Sequence, residues 1–90
     1  MHEKKLMSEV YTLSPTVRIG KSGVTEKIIN EIILQLQKKH LVKVKILSSA
    51  FETMPKDEIK KFIVNKVIEK YAYATVVSKV GNTITFYAQR

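Results

Sequence analysis

The chain has 90 residues, 44% of them apolar, and its 16 Lys and Arg against 8 Asp and Glu give a formal charge of +8 and a pI near 9.8. That length supports one modest core, read as a single domain over residues 1–90. The absence of cysteine excludes a disulfide scaffold, a thiolate zinc site, an iron–sulfur cluster and a cysteine nucleophile. No apolar run approaches the ~20 residues of a membrane helix, and the N-terminus lacks a signal-peptide stretch, so no membrane partner and a cytoplasmic location are expected.

Residues 3–13 set Leu6, Met7, Val10 and Leu13 at helical spacing, which predicts a short amphipathic helix ending at Ser14 and Pro15. Residues 16–19 alternate polar and apolar, as a half-buried strand does. Gly20, Lys21, Ser22 and Gly23 follow as a loop of small bulk. Thr25 is placed to cap a helix over residues 25–39, with Glu26 at the positive end of its dipole. Val24, Ile28, Ile29, Ile32, Ile33 and Leu36 form its apolar stripe. Residues 41–47 alternate again, with Val42, Val44 and Ile46 on one side and Lys43 and Lys45 on the other.

A loop is expected over residues 48–54, and Pro55 suits the first turn of the next helix. Ile59, Phe62, Ile63 and Val67 mark that helix's buried face, with Tyr71 near its end. Residues 73–79 and 82–88 are rich in β-branched and aromatic residues, so both read as strands. The short turn at Gly81 and Asn82 makes them an antiparallel hairpin. The order is α-β-α-β-α-β-β. The assembly that buries every apolar face is an α/β fold, a four-stranded mixed sheet with helices on one face.

Catalytic chemistry is poorly supplied. His2 sits near the terminus, and His40 has no histidine or carboxylate three or four positions away to share a metal. The acids lie mostly beside lysines, as on solvated helix faces. The Lys21-Ser22 pair lacks the preceding residues of a P-loop. No catalytic residue, metal site or cofactor is assigned, and the chain is read as no enzyme.

The charge points to a polyanion, usually nucleic acid. A glycine-bracketed loop between a strand and a helix N-terminus lets a phosphate backbone approach, with N–H groups and the helix dipole facing the anion. Lys21 adds a mobile charge. Residues 18–45 hold seven basic residues against two acidic, a net +5. If the two strands are neighbours, Arg18, Lys43 and Lys45 share the uncovered sheet face beside the loop. The helix after Pro55 is placed away from this surface, with Lys60 and Lys66 on it. Of the aromatics, Phe62 and Phe86 read as core, Tyr87 as a residue of the open face, and Tyr73 fits either.

Pro15 to Ile19, the Gly-Lys-Ser-Gly-Val-Thr-Glu run at 20–26, His-Leu-Val-Lys-Val-Lys at 40–45 and Val-Gly-Asn-Thr-Ile-Thr-Phe-Tyr at 80–87 together resemble the CRM domain, named for chloroplast RNA splicing and ribosome maturation. The blocks occur in the family's order and span nearly the whole chain. The resemblance implies a fold similar to the C-terminal domain of translation initiation factor 3. It also implies non-catalytic RNA binding through Gly20, Lys21, Ser22 and Gly23, with Lys43 and Lys45 in support. The implied partners are structured, ribosomal RNA and precursors of the large ribosomal subunit during ribosome assembly. Asn82 and Ala88 stand where the family often carries arginine. An alternative from another class is an Alba-like chromatin protein, which shares the strand–helix order, size and basic character. The closing Gly23 and the short final hairpin weigh against it.

Overall fold

The computed structural model describes residues 17–52 and 54–89. The helix expected at 3–13, with Tyr11, and Arg90 lie outside them. Strand β1 is Val17–Ile19 and strand β2 is Leu41–Ile46, joined by helix α1 over Glu26–Lys39. A 3-10 turn at Ser48–Glu52 leads to helix α2 at Lys56–Lys70, and strands β3 (Ala74–Val80) and β4 (Thr83–Ala88) close the described chain.

The sheet order is β1-β2-β4-β3. β1 and β2 are parallel, with Arg18 opposite Lys45 and Ile19 opposite Ile46. β4 lies between β2 and β3 and runs antiparallel to both. The sheet is therefore mixed, as the element order predicted. The β3–β4 turn is Gly81-Asn82, with Val80 opposite Thr83. Gly81 takes φ +57°, the sign that the first central position of a type II′ hairpin turn needs. The register slips by one residue between Val76 and Ser78, a β-bulge in an edge strand.

Both helices bury their apolar stripes against one face of the sheet. Ile29, Ile32 and Leu36 of α1 and Ile59, Ile63 and Val67 of α2 join Ile19, Val42, Val44, Ile46, Ile84 and Phe86 in one core. The strand alternation dictates this, because period-two apolar residues all point to the covered side. Thr25 caps α1 as expected, its hydroxyl accepting the Ile28 N–H at 3.2 Å.

Three local readings change. Phe62 is not core but 36% exposed, because it stands one position off the Ile59–Ile63–Val67 stripe. The 48–54 segment is not wholly a loop, for its 3-10 turn buries Ala50 completely. The other sheet face is not uniformly exposed either. Leu41 and Thr85 alternate onto it, yet they are 8% and 1% exposed.

Candidate nucleic-acid interface

The 20–23 loop is a hydrogen-bonded turn, with the Gly23 N–H donating to the Gly20 carbonyl at 2.9 Å. Gly23 is buried and takes φ +73°. Lys21 and Ser22 occupy the two corner positions and are exposed. Neither has positive φ, as in a type I turn, which favours glycine at its fourth position. One expectation is thereby narrowed: the Gly23 N–H serves the turn rather than an anion. What the loop presents outward is the Lys21 ammonium and the Ser22 hydroxyl.

The loop leaves the C-terminal end of β1, and two other segments meet it there. The Leu47 N–H donates to the Ile19 carbonyl at 2.8 Å, and the Ile46 N–H donates to the Asn82 carbonyl at 2.7 Å. A side chain at position 20 would stand 3.6 Å from Leu47 Cδ1 and 3.7 Å from Ser49 Oγ. The turn, the start of the 3-10 segment and the hairpin tip thus gather at one end of the sheet. In open α/β sheets, ligands bind outside the carboxyl ends of parallel strands.

Arg18 and Lys45 lie side by side in the parallel register, and both are exposed. Like charges in directly opposed positions are destabilising. Neither pairs with a carboxylate among the described residues. Lys43, two positions earlier on the same face, is half-buried. The structure therefore brings together Arg18, Lys45 and the loop residues Gly20, Lys21, Ser22 and Gly23, with Lys43 set back along β2.

The region after the loop holds residues that sequence reasoning placed elsewhere. Val24 and Thr25 border a groove of about 350 Å³ between α1 and α2, with Phe62, Lys66 and Lys70 on its far wall. The ammonium of Lys66 stands 5.7 Å from the Phe62 ring centroid. Lys70 bridges Glu26 at 3.5 Å and Asn30 Oδ1 at 3.4 Å. Lys66 is therefore close to the loop's exit, against the expectation that it faces away. The available signal was the four-residue spacing of Phe62, Lys66 and Lys70, which sets them along one helix line.

His40 lies at the other end of α1. It ends the helix at φ 66°, and its ring Nδ1 is 2.9 Å from the Ala88 carbonyl. A carbonyl only accepts, so Nδ1 carries the proton. The residue has a structural role. Tyr73 is 55% exposed and meets Tyr71 edge-on at 5.5 Å, while Tyr87 is half-buried. No described helix is long and apolar enough to cross a membrane.

Comparison with known proteins adds an independent line. The chain is 35% identical over 88 residues to "Probable RNA-binding protein MJ0652" of Methanocaldococcus jannaschii, covering 98% of this chain. It spans only 61% of that relative's length. It is 30% identical over 84 residues to "Probable RNA-binding protein YqeI" of Bacillus subtilis, covering 93% of this chain and 80% of that one. The solution structure of the hypothetical protein SAV1595 from Staphylococcus aureus matches with a TM-score of 0.64 at 25% identity, over 97% of this chain and 83% of that chain. The family model of the CRS1/YhbY (CRM) domain matches residues 2–88. Because that match spans nearly the whole chain, the chain belongs to the CRS1/YhbY (CRM) domain family.

Proposed function

We propose that this protein is a non-catalytic RNA-binding domain. Its contact surface is the 20–23 loop together with Arg18, Lys45 and Lys43, and its partner is ribosomal RNA or a large-subunit precursor during ribosome assembly. The observation that carries the reading is the lateral pair of Arg18 and Lys45 beside the loop. Two exposed cations held in register against their own repulsion suit a partner that supplies phosphates at close spacing. The names of the archaeal and bacterial relatives support RNA as that partner.

The test is Lys21→Asp with Ser22→Asp. Both side chains are exposed, so no packing is lost. Acids just before a helix are favourable to its dipole, so the melting temperature should stay near the parent's. Two carboxylates would then face the phosphate. Like-charge juxtaposition costs several kcal/mol, so affinity for structured RNA should fall about a hundredfold. A double variant that melts and binds like the parent would show that the loop is only a turn. A duplex DNA competitor belongs in the same assay, since preference for DNA would favour the Alba-like alternative. Crosslinking in cells with sequencing of the bound RNA addresses the target. Ribosomal precursors should dominate, and their absence would remove the ribosomal part of the proposal.

A further inference from the structure

We propose that the groove between α1 and α2 receives one unpaired nucleotide, its base stacked on Phe62 and its phosphate held by Lys66, so that the protein prefers RNA carrying an unpaired segment to fully paired RNA. This rests on the RNA-binding reading above and extends it to a second contact. Three observations carry it.

The first is continuity. Val24 and Thr25, which begin the groove, follow directly on Gly23. A strand whose phosphate lies at the loop therefore has the groove within reach of a neighbouring nucleotide. The second is the exposed aromatic. Phe62 leaves 36% of its surface in solvent on a helix whose other large apolar residues of that turn, Ile59 and Ile63, are buried. A flat ring at a groove wall is a stacking platform, and stacking is sequence-tolerant because every base has a π face. The third is charge. Lys66 lies one turn beyond the ring on the same helix line, and Glu26, the carboxylate on the lining, is already paired with Lys70 at 3.5 Å, which leaves the Lys66 charge to a phosphate.

The groove's size is about 350 Å³, in the lower part of the range for small-molecule sites and suited to a single nucleotide rather than a helix. Lys66 sits over the Phe62 ring at 5.7 Å, near the outer limit of cation–π attraction. An entering base displaces the ammonium at little cost, and the freed ammonium pairs with the adjoining phosphate. A duplex cannot do this, because its bases are already stacked on one another.

The chain has no tryptophan, so Phe62→Trp installs a single indole reporter at the groove wall. The probes are a single-stranded oligonucleotide and the same strand in a complete duplex. In the parent, the single strand should bind more tightly. Phe62→Ala should lose about tenfold on the single strand and little on the duplex, which is the lower range for losing one stacked base. It should melt close to the parent, since the ring is partly exposed. Phe62→Trp should retain single-strand affinity, and its fluorescence should be quenched by the single strand and not by the duplex. Unchanged single-strand affinity in Phe62→Ala, or unquenched fluorescence at saturating single strand, overturns the proposal. The Lys21→Asp, Ser22→Asp variant separates the two readings. If it loses binding while Phe62→Ala does not, the loop site stands and the groove site fails, leaving the groove to a protein partner. If the parent binds neither probe, the RNA-binding reading fails and the groove proposal with it.

Discussion

Gly20 and Gly23 bracket one turn but carry different constraints. Gly23 sits buried at φ +73°, where a Cβ crowds the following carbonyl and costs roughly 1–2 kcal/mol. Gly20 is outside the left-handed region, and a Cβ there meets Leu47 and Ser49 at ordinary contact distances of 3.6 and 3.7 Å. Gly23→Ala should therefore lower stability by about 1–2 kcal/mol. Gly20→Ala should leave it unchanged or raise it by up to about 1 kcal/mol, since alanine narrows the unfolded ensemble. Parallel urea titrations check the contrast, and equal losses at the two positions would refute it. Gly20→Ala then becomes a clean probe of close approach. If a phosphate packs on the backbone at position 20, this variant keeps its fold and loses RNA affinity. This asymmetry was not legible in the sequence, where two glycines three apart read alike. Which one must be glycine depends on φ, and that is set by how the Gly20–Gly23 hydrogen bond closes the turn.

At the scale of elements, the N-terminal end of α1 was more legible than its C-terminal joint. Thr25 and Glu26 announce the N-terminus by the chemistry of capping, and the structure caps the helix there. The C-terminal end has no glycine, the residue that most often takes the left-handed position closing a helix. His40 takes it, at φ 66°, and offsets the strain with contacts that sequence spacing cannot reveal. Its N–H donates to the Leu36 carbonyl, its carbonyl accepts the Ala88 N–H at 2.9 Å, and its ring donates to the Ala88 carbonyl at 2.9 Å. Ala88 is 48 positions away, so the ring contact exists only once β4 has docked beside β2. His40→Ala should cost about 1–2 kcal/mol, because the strain stays while the ring's hydrogen bond is lost. His40→Gly should cost less, since the strain goes with the bond. A denaturation series ranking parent, glycine and alanine in that order supports this. Alanine as stable as the parent would mean that the ring contact contributes nothing. Phe62 shows the opposite limit of legibility. Its apolar character suggested burial, but on a helix one position of offset turns a side chain about 100° from the core stripe, given ~3.6 residues per turn.

For the whole molecule, strand order decides whether the charges form a site. Alternation put Arg18, Lys43 and Lys45 on the polar sides of their strands, but only the parallel β1–β2 pairing sets Arg18 against Lys45. Lys38 and Lys39 have the same charge and are exposed like Arg18 and Lys45, yet they end α1. A helix of 14 residues places them about 21 Å from the loop, at ~1.5 Å per residue. That distance exceeds the Debye length of ~8 Å at physiological salt, so these two lysines and the loop act on a bound strand independently. The pairs Lys43→Gln with Lys45→Gln and Lys38→Gln with Lys39→Gln therefore lower the net charge equally but lie at different places, and Lys43 is also half-buried. If Arg18, Lys21, Lys43 and Lys45 each neutralise one phosphate, the parent's log affinity should fall against log salt with a slope near −3, at ~0.7–0.9 per contact. The strand pair should flatten that slope by about 1.4–1.8, and the helix pair should leave it nearly unchanged. Binding isotherms at several salt concentrations read the slopes directly. Equal flattening by both pairs would mean that RNA senses a diffuse +8 charge rather than the arrangement that the sheet builds.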